Sequence, residues 1–236
     1  MAPLLAVIGA GGKTTALRCL LPHLTGQHVL LTTTTHIYPL APPHTRLLLT
    51  DPTEPALLDA LRVPGAVCAG RQAEDGKLSA LPPALLEAAR RTADLVLCEA
   101  DGAHHLPLKL HRADEPVLPP QTDRCLIVAG LSAWGQPVAQ AVHRYALHPR
   151  WAHDPVLPVG AAEILFCIHE TAAACGLPPR QVRILLNQAD TLLSAAQGAA
   201  LAERLTAEGF SCRAGSLQQE ADALAAWILA GISAKD

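Results

Sequence analysis

The chain has 236 residues, a length that ~100–200 residues per domain reads as one large domain or one and a half small ones. Half of the residues are hydrophobic, 17% are charged and the formal net charge is −3, which excludes both a disordered chain and a general electrostatic grip on nucleic acid. Aromatic residues make up only 3%, too few for a single-strand base-stacking platform, so the core is expected to be Leu, Ala and Val.

An apolar run, Leu4 to Ile8, meets a glycine-rich turn, Gly9-Ala10-Gly11-Gly12, and then Lys13 to Leu21 with apolar residues at helical spacing. This is strand, loop, helix. A second strand over 28–33 leads into Thr34, Thr35 and His36 before the proline-rich stretch 39–43 breaks regular structure. Between 45 and 92 the pattern predicts a strand at 46–49, a helix at 54–61, a strand near 66–68 and a helix at 83–91 with proline in its first turn. Leu95 to Ala100 is a continuous apolar run closed by acid, as expected of a strand buried on both faces of a parallel sheet. Residues 107–122, with four prolines, read as a crossing loop, and 125–130 as the next strand. After a polar stretch holding His143, His148 and His153, the expected elements are a helix at 161–175, a strand at 182–187, a helix at 191–208, a strand at 210–216 and an amphipathic helix at 218–229. Alternating strands and helices predict one α/β domain over 1–236, three-layer α/β/α with a mainly parallel sheet and a less regular Pro- and His-rich segment around 103–160.

The seven cysteines form no Cys-x-x-Cys pair and are odd in number, which argues against a zinc ribbon or a disulfide scaffold. The start lacks the basic and long apolar regions of a signal peptide, and no apolar run approaches the ~20 residues of a membrane span. The expected location is the cytoplasm, with reduced thiols and no membrane or nucleic-acid partner.

A strand followed by Gly9-Ala10-Gly11-Gly12-Lys13-Thr14-Thr15 at a helix start suits a nucleoside triphosphate, and makes the expected fold P-loop NTPase-like. Glycines let backbone N–H groups close on phosphates, the helix start adds its positive dipole end, Lys13 reaches the β- and γ-phosphates and Thr14 holds Mg²⁺. Val7 stands where the usual pattern has its first glycine, so this is a shortened variant; an ordinary glycine turn with a solvated Lys13 is the alternative. Such a site needs a carboxylate at a neighbouring strand end, and Glu99 and Asp101 fit, sharing one face of a strand at its carboxyl end. They are the expected metal and catalytic acids beside Lys13. Thr34, Thr35, His36, His104 and Lys109 are candidates for phosphate or second-substrate contacts. Cys98, the nearest thiol, faces away from Glu99 on an alternating strand and reads as a core residue.

Asn187-Gln188-Ala189-Asp190 at a late strand end is similar to the Asn-Lys-x-Asp element that reads guanine, with Gln188 in place of Lys; Asp190 reads equally well as a helix cap. Ser216, in Ala214-Gly215-Ser216, stands where such proteins back the base. GTP is placed slightly ahead of ATP.

The order of these segments, with Leu31-Thr32-Thr33-Thr34-Thr35-His36-Ile37, Glu99-Ala100-Asp101-Gly102-Ala103, Leu106-Pro107-Leu108-Lys109, Val128-Ala129-Gly130-Leu131 and Val142-His143-Arg144, resembles the YqeC family over residues 4 to about 216. The resemblance implies a P-loop protein that serves maturation of the selenium-containing molybdenum cofactor of molybdenum hydroxylases, with that cofactor or enzyme as partner. Three functions follow as expectations: an Mg²⁺-dependent NTPase, a nucleotide-dependent transferase or ligase, and a nucleotide-switched carrier of selenium, sulfur or cofactor.

Overall fold

In the computed structural model, which describes residues 1–232, the chain opens with β1 (Leu4–Gly9), α1 (Lys13–Leu20) and β2 (His28–Thr33). Then come β3 (Leu47–Thr50), α2 (Glu54–Leu61), β4 (Gly65–Gln72), β5 (Leu78–Ser79), α3 (Pro83–Thr92) and β6 (Leu95–Glu99). The middle of the chain holds β7 (Leu108–Lys109), β8 (Arg124–Gly130), α4 (Val138–Ala141), β9 (Val142–His143), α5 (Pro149–His153) and α6 (Ala161–Cys175). It closes with β10 (Val182–Asn187), α7 (Leu192–Ala207), β11 (Ser211–Ala214) and α8 (Ala221–Leu229).

Eight strands run in the order β11-β10-β8-β1-β6-β2-β4-β3, each parallel to its neighbour, and β5 adds an antiparallel pairing to β4. Strand alternation sorts the apolar residues into two layers. Leu5 and Val7 of β1 join Leu31, Leu97, Val128 and Leu185 beneath Leu17 and Leu20 of α1 and Leu224 and Ile228 of α8. Leu4, Ala6 and Ile8 face the other way, where Leu57 of α2, Leu85 of α3, Ile164 of α6 and Leu205 of α7 cover them. The result is the expected three-layer α/β arrangement.

Parallel pairing also gathers the strand ends along one edge. Glu99 lies beside both Val7 and Thr33, Gly9 beside Val128, and Asn187 beside Gly130. The glycine turn, the acids and the β10 end therefore meet at the carboxyl edge of the sheet, where open α/β sheets bind ligands.

Three expectations change. The stretch 107–122, expected as a crossing loop, holds β7, which pairs in parallel with β9, Lys109 beside His143, because a two-residue strand made by a partner 34 positions away leaves no local pattern. The strand expected over 210–216 stops at Ala214, and the last helix begins at Ala221 rather than 218. Ser216 makes the difference, since its Oγ accepts from the amides of Gln218 and Gln219 and holds them in a turn. Finally, α7 is capped by Thr191, whose Oγ1 accepts from Ser194 N at 3.1 Å, and not by Asp190. Thr191→Ala is expected to lower stability in urea unfolding by about 1 kcal/mol, whereas Asp190→Ala stays within about 0.5 kcal/mol of the parent.

Candidate functional site

The turn after β1 is glycine for a reason of packing. Gly9 has φ +92° and a side chain there would run into Val128 O; Gly11 has φ +77° and a Cβ would lie 2.8 Å from Pro107 O. The turn is thus pressed against β8 and the strap before β7. Its first amides are committed inside the protein: Gly9 N–H donates to Asp101 Oδ2 at 2.8 Å, Ala10 N–H to Val128 O at 2.8 Å and Gly11 N–H to Leu106 O at 3.1 Å. The next four are not. Among the described residues the amides of Gly12, Lys13, Thr14 and Thr15 have no acceptor, and no side chain caps α1. Four orphan donors and the positive end of a helix are left together at the sheet edge.

Lys13, 5% exposed, folds back over this turn. Its Nζ donates to Gly9 O at 2.8 Å and sits 3.1 Å from Asp101 Oδ1 and 3.7 Å from Glu99 Oε1. β6 ends at Glu99, so Asp101 lies beyond the strand; both acids nevertheless converge on the one ammonium. Asp101 Oδ2 also accepts from His111 Nε2 at 2.8 Å and lies 3.1 Å from Lys109 Nζ. Burial by itself would raise the Asp101 carboxyl, but Lys13, the His111 bond, Lys109 and the Gly9 amide outweigh it and hold the group well below the usual carboxylate range. Glu99 has the opposite balance: burial, reinforced by the Asp101 charge, raises it despite Lys13 and the 3.3 Å bond from Thr14 Oγ1.

Thr14 Oγ1 and Glu99 Oε2 form a pair of hard oxygens beside the free amides. That suits Mg²⁺, which binds through one or two carboxylates together with phosphate oxygens and water. Among the described residues no group of three or more His, Cys, Asp or Glu could hold an ion alone. Of the three expected metal ligands, Thr14 and Glu99 are hydrogen-bonded to each other, while Asp101 Oδ2 faces ammonium, imidazole and amide groups and Asp101 Oδ1, buried, has the Lys13 ammonium at 3.1 Å and no hydrogen bond among the described residues.

The other expected residues divide. Asn187 is buried and uses its amide internally: Nδ2 donates to Gly11 O at 2.8 Å and Oδ1 accepts from Leu217 N at 3.0 Å, so it ties the glycine turn to the β11–α8 connection. Asp190 is exposed at the same edge, with Gln219 Nε2 on its backbone oxygen. Gln188 points elsewhere, its Oε1 accepting from Ser132 Oγ at 2.7 Å. Thr15 and Thr35 are half-buried, His36 is exposed, and Thr34 Oγ1 is buried with no hydrogen-bond partner among the described residues. His104 is exposed and stacks on His143 at 4.6 Å. Lys109, expected to offer charge to a phosphate or second substrate, is instead 1% exposed at its side chain, donating to Gly102 O at 2.7 Å. Cys98 is fully buried in the layer opposite α1, and burial beside Glu99 pushes its thiol up to about 12.

Sequence reasoning missed His111, Glu115 and Arg144. Glu115 lies 3.4 Å from Lys109 Nζ and is gripped by both Nη atoms of Arg144, whose hydrogen bonds bring its carboxyl down to about 2. One signal was available: Lys109 and His111, two apart on extended chain, share a face.

The comparisons with known proteins bear on this cluster. The sequence model of the family described as YqeC protein matches residues 5–146, more than half of the chain. The chain belongs to the YqeC family. The YqeC match takes in the glycine turn, Glu99, Asp101, Lys109, His111, Glu115 and Arg144, and ends before Asn187, Asp190 and Ser216. A relative from Escherichia coli (strain K12), "Uncharacterized protein YqeC", is 33% identical over 150 residues, covering 60% of this chain and 57% of its own length.

Two outcomes follow for a YqeC protein built this way. Gly9→Ala should cost about 1–3 kcal/mol in urea unfolding, the range for overpacking a tight site. His143, lowered to about 4 by burial and by Arg144, His104 and Lys109, takes up a proton more readily once unfolded, where the ordinary value is 6.5. Its contribution is present above about 6.5 and lost as pH falls toward about 4, so the Tm of the parent should drop more steeply across that window than the Tm of His143→Gln.

Proposed function

We propose that this YqeC-family protein binds a nucleoside triphosphate with Mg²⁺ and hydrolyses it, as an accessory factor in maturation of the selenium-containing molybdenum cofactor of molybdenum hydroxylases. The observation that carries the nucleotide reading is the row of four unpaired amides, Gly12 to Thr15, at the start of α1 with Lys13, Thr14 and Glu99 gathered around it. Backbone donors and a helix dipole converging on one point favour an anion of several negative oxygens. Lys13 is the cation in reach of such an anion. Thr14 and Glu99 would hold Mg²⁺, which supplies charge neutralisation on the phosphate oxygens when bound. Glu99 Oε2 would sit on Mg²⁺ beside Thr14, and Oε1 would position the attacking water. Asp190, exposed at the same edge, has a carboxylate free to accept from a purine, which keeps GTP ahead of ATP. The cofactor-maturation part of the reading rests on the family resemblance. A carrier working through Cys98 has less support, because that thiol is buried away from the site and held protonated.

Calorimetric titration with GTP, ATP and CTP, with and without Mg²⁺, tests the reading. GTP should bind best and require Mg²⁺ for tight binding. Lys13→Ala removes a charge-assisted hydrogen bond and should weaken binding by about 10–100-fold. Thr14→Ala should abolish the Mg²⁺ dependence, Glu99→Gln the release of phosphate, and Asp190→Ala the preference for guanine. No binding of any of the three nucleotides overturns the reading.

A further inference from the structure

We infer that Lys109 is the standing counter-ion of Asp101 and Lys13 the exchangeable one, so that Lys109, a positioning residue outside the nucleotide's reach, is what frees Lys13 for phosphate. The inference rests on the nucleotide reading above and deepens it.

The Asp101 carboxylate is divided between its two oxygens. Oδ1 has Lys13 alone, at 3.1 Å; Oδ2 has Lys109 at 3.1 Å, His111 Nε2 at 2.8 Å and the Gly9 amide at 2.8 Å. Withdrawal of Lys13 strips one oxygen and leaves the other fully bonded and still paired with an ammonium. Withdrawal of Lys109 would leave Lys13 as the lone ammonium on a buried carboxylate, and a buried charge deprived of its partner is strongly disfavoured. Lys13 would then be retained.

The two lysines also differ in freedom. Lys109 is locked on three sides, by Asp101, by Gly102 O and by Glu115, and Glu115 is in turn gripped by Arg144. Lys13 stands on the first residue of α1, directly beside the free amides, and its other neighbours are the Gly9 carbonyl at 2.8 Å and the longer contact to Glu99 at 3.7 Å. A γ-phosphate at the α1 start competes with Asp101 for Lys13, whereas the Lys109 ammonium is engaged by Gly102 O and Glu115 as well as by Asp101. The chain Asp101, Lys109, Glu115, Arg144 thereby gives the 103–145 segment a function: it neutralises a carboxylate that would otherwise hold the phosphate-binding lysine in place.

The test is calorimetric titration of Mg²⁺ and a non-hydrolysable GTP analogue into four proteins: the parent, Lys109→Met, Asp101→Asn and the double variant. Lys109→Met should bind about 10-fold or more weakly although every group facing the nucleotide is intact. Adding Asp101→Asn in the same chain removes the demand on Lys13 and should recover that factor; a merely structural role for Lys109 predicts no recovery. Circular dichroism checks folding of each variant. Should Lys109→Met fail to fold, a crystal structure of the parent with the analogue decides: Lys13 Nζ should be on the phosphates and Lys109 Nζ still on Asp101. Parent-like affinity of Lys109→Met, no recovery in the double variant, or Lys13 remaining on Asp101 in the complex each overturns the inference while the nucleotide reading stands. Failure of the parent to bind the analogue, or parent-like binding by Lys13→Ala, overturns that reading and the inference with it.

Discussion

A carboxylate buried at the end of a central strand has to be matched by positive charge and hydrogen bonds, and Asp101 is such a group. Its four partners come from two stretches of chain: the Gly9 amide at the end of β1 with Lys13 at the start of α1, and Lys109 of β7 with His111 just beyond it. The turn keeps its shape partly because Asp101 holds its first amide. The start of α1 is anchored through Lys13, and the β7–β9 pair is drawn onto the sheet edge through Lys109. One desolvated charge therefore joins the glycine turn and the α1 start to the β7 strap, two stretches that lie far apart in sequence.

The two acids of this edge, two positions apart, have opposite electrostatics. Asp101 is held ionised by the cations around it, whereas Glu99, with the Lys13 contact at 3.7 Å and a like charge nearby, is raised by burial. A pair of carboxylates pushed apart in this way can divide two tasks, one as a fixed negative centre and one as a group that exchanges a proton. In the function proposed above, Asp101 would set the positions of the lysines and Glu99 would face the phosphates.

Glycine carries two burdens in the turn. Gly9 and Gly11 adopt positive φ and lie too close to β8 and Pro107 for any side chain, while their amides and that of Ala10 are spent on internal acceptors. The donors left for a ligand belong to the next residues, Gly12 to Thr15. Asn187 reinforces the arrangement from the far side by bonding Gly11 O and Leu217 N at once, so the glycine turn is bolted to β10 and to the start of the α8 region.

Local pattern was enough to read β1, α1, α2, α6 and β10, because each is a buried apolar run or an apolar stripe with a clear end, and periodicity is set by residues within one or two turns of each other. The gathering of Lys13, Thr14, Glu99 and Asp101 was legible for the same reason, since each closes or follows such a run. The cap of α7 by Thr191, the turn at Ser216 and the pairing of β7 with β9 were not, as each turns on which of several adjacent polar groups finds a partner. By itself the sequence determined the alternation of strands and helices and the placing of glycines, threonine and acids at strand ends. Only the tertiary structure decided that Lys109 is buried against Asp101, that His111, Glu115 and Arg144 complete its charge balance, and that Asn187 braces the turn. The physical reason is that a buried charge selects its partners by proximity in space, and which side chains come close, whether a few residues on like Lys109 or far earlier like Lys13, is set by the assembled sheet and by no local periodicity.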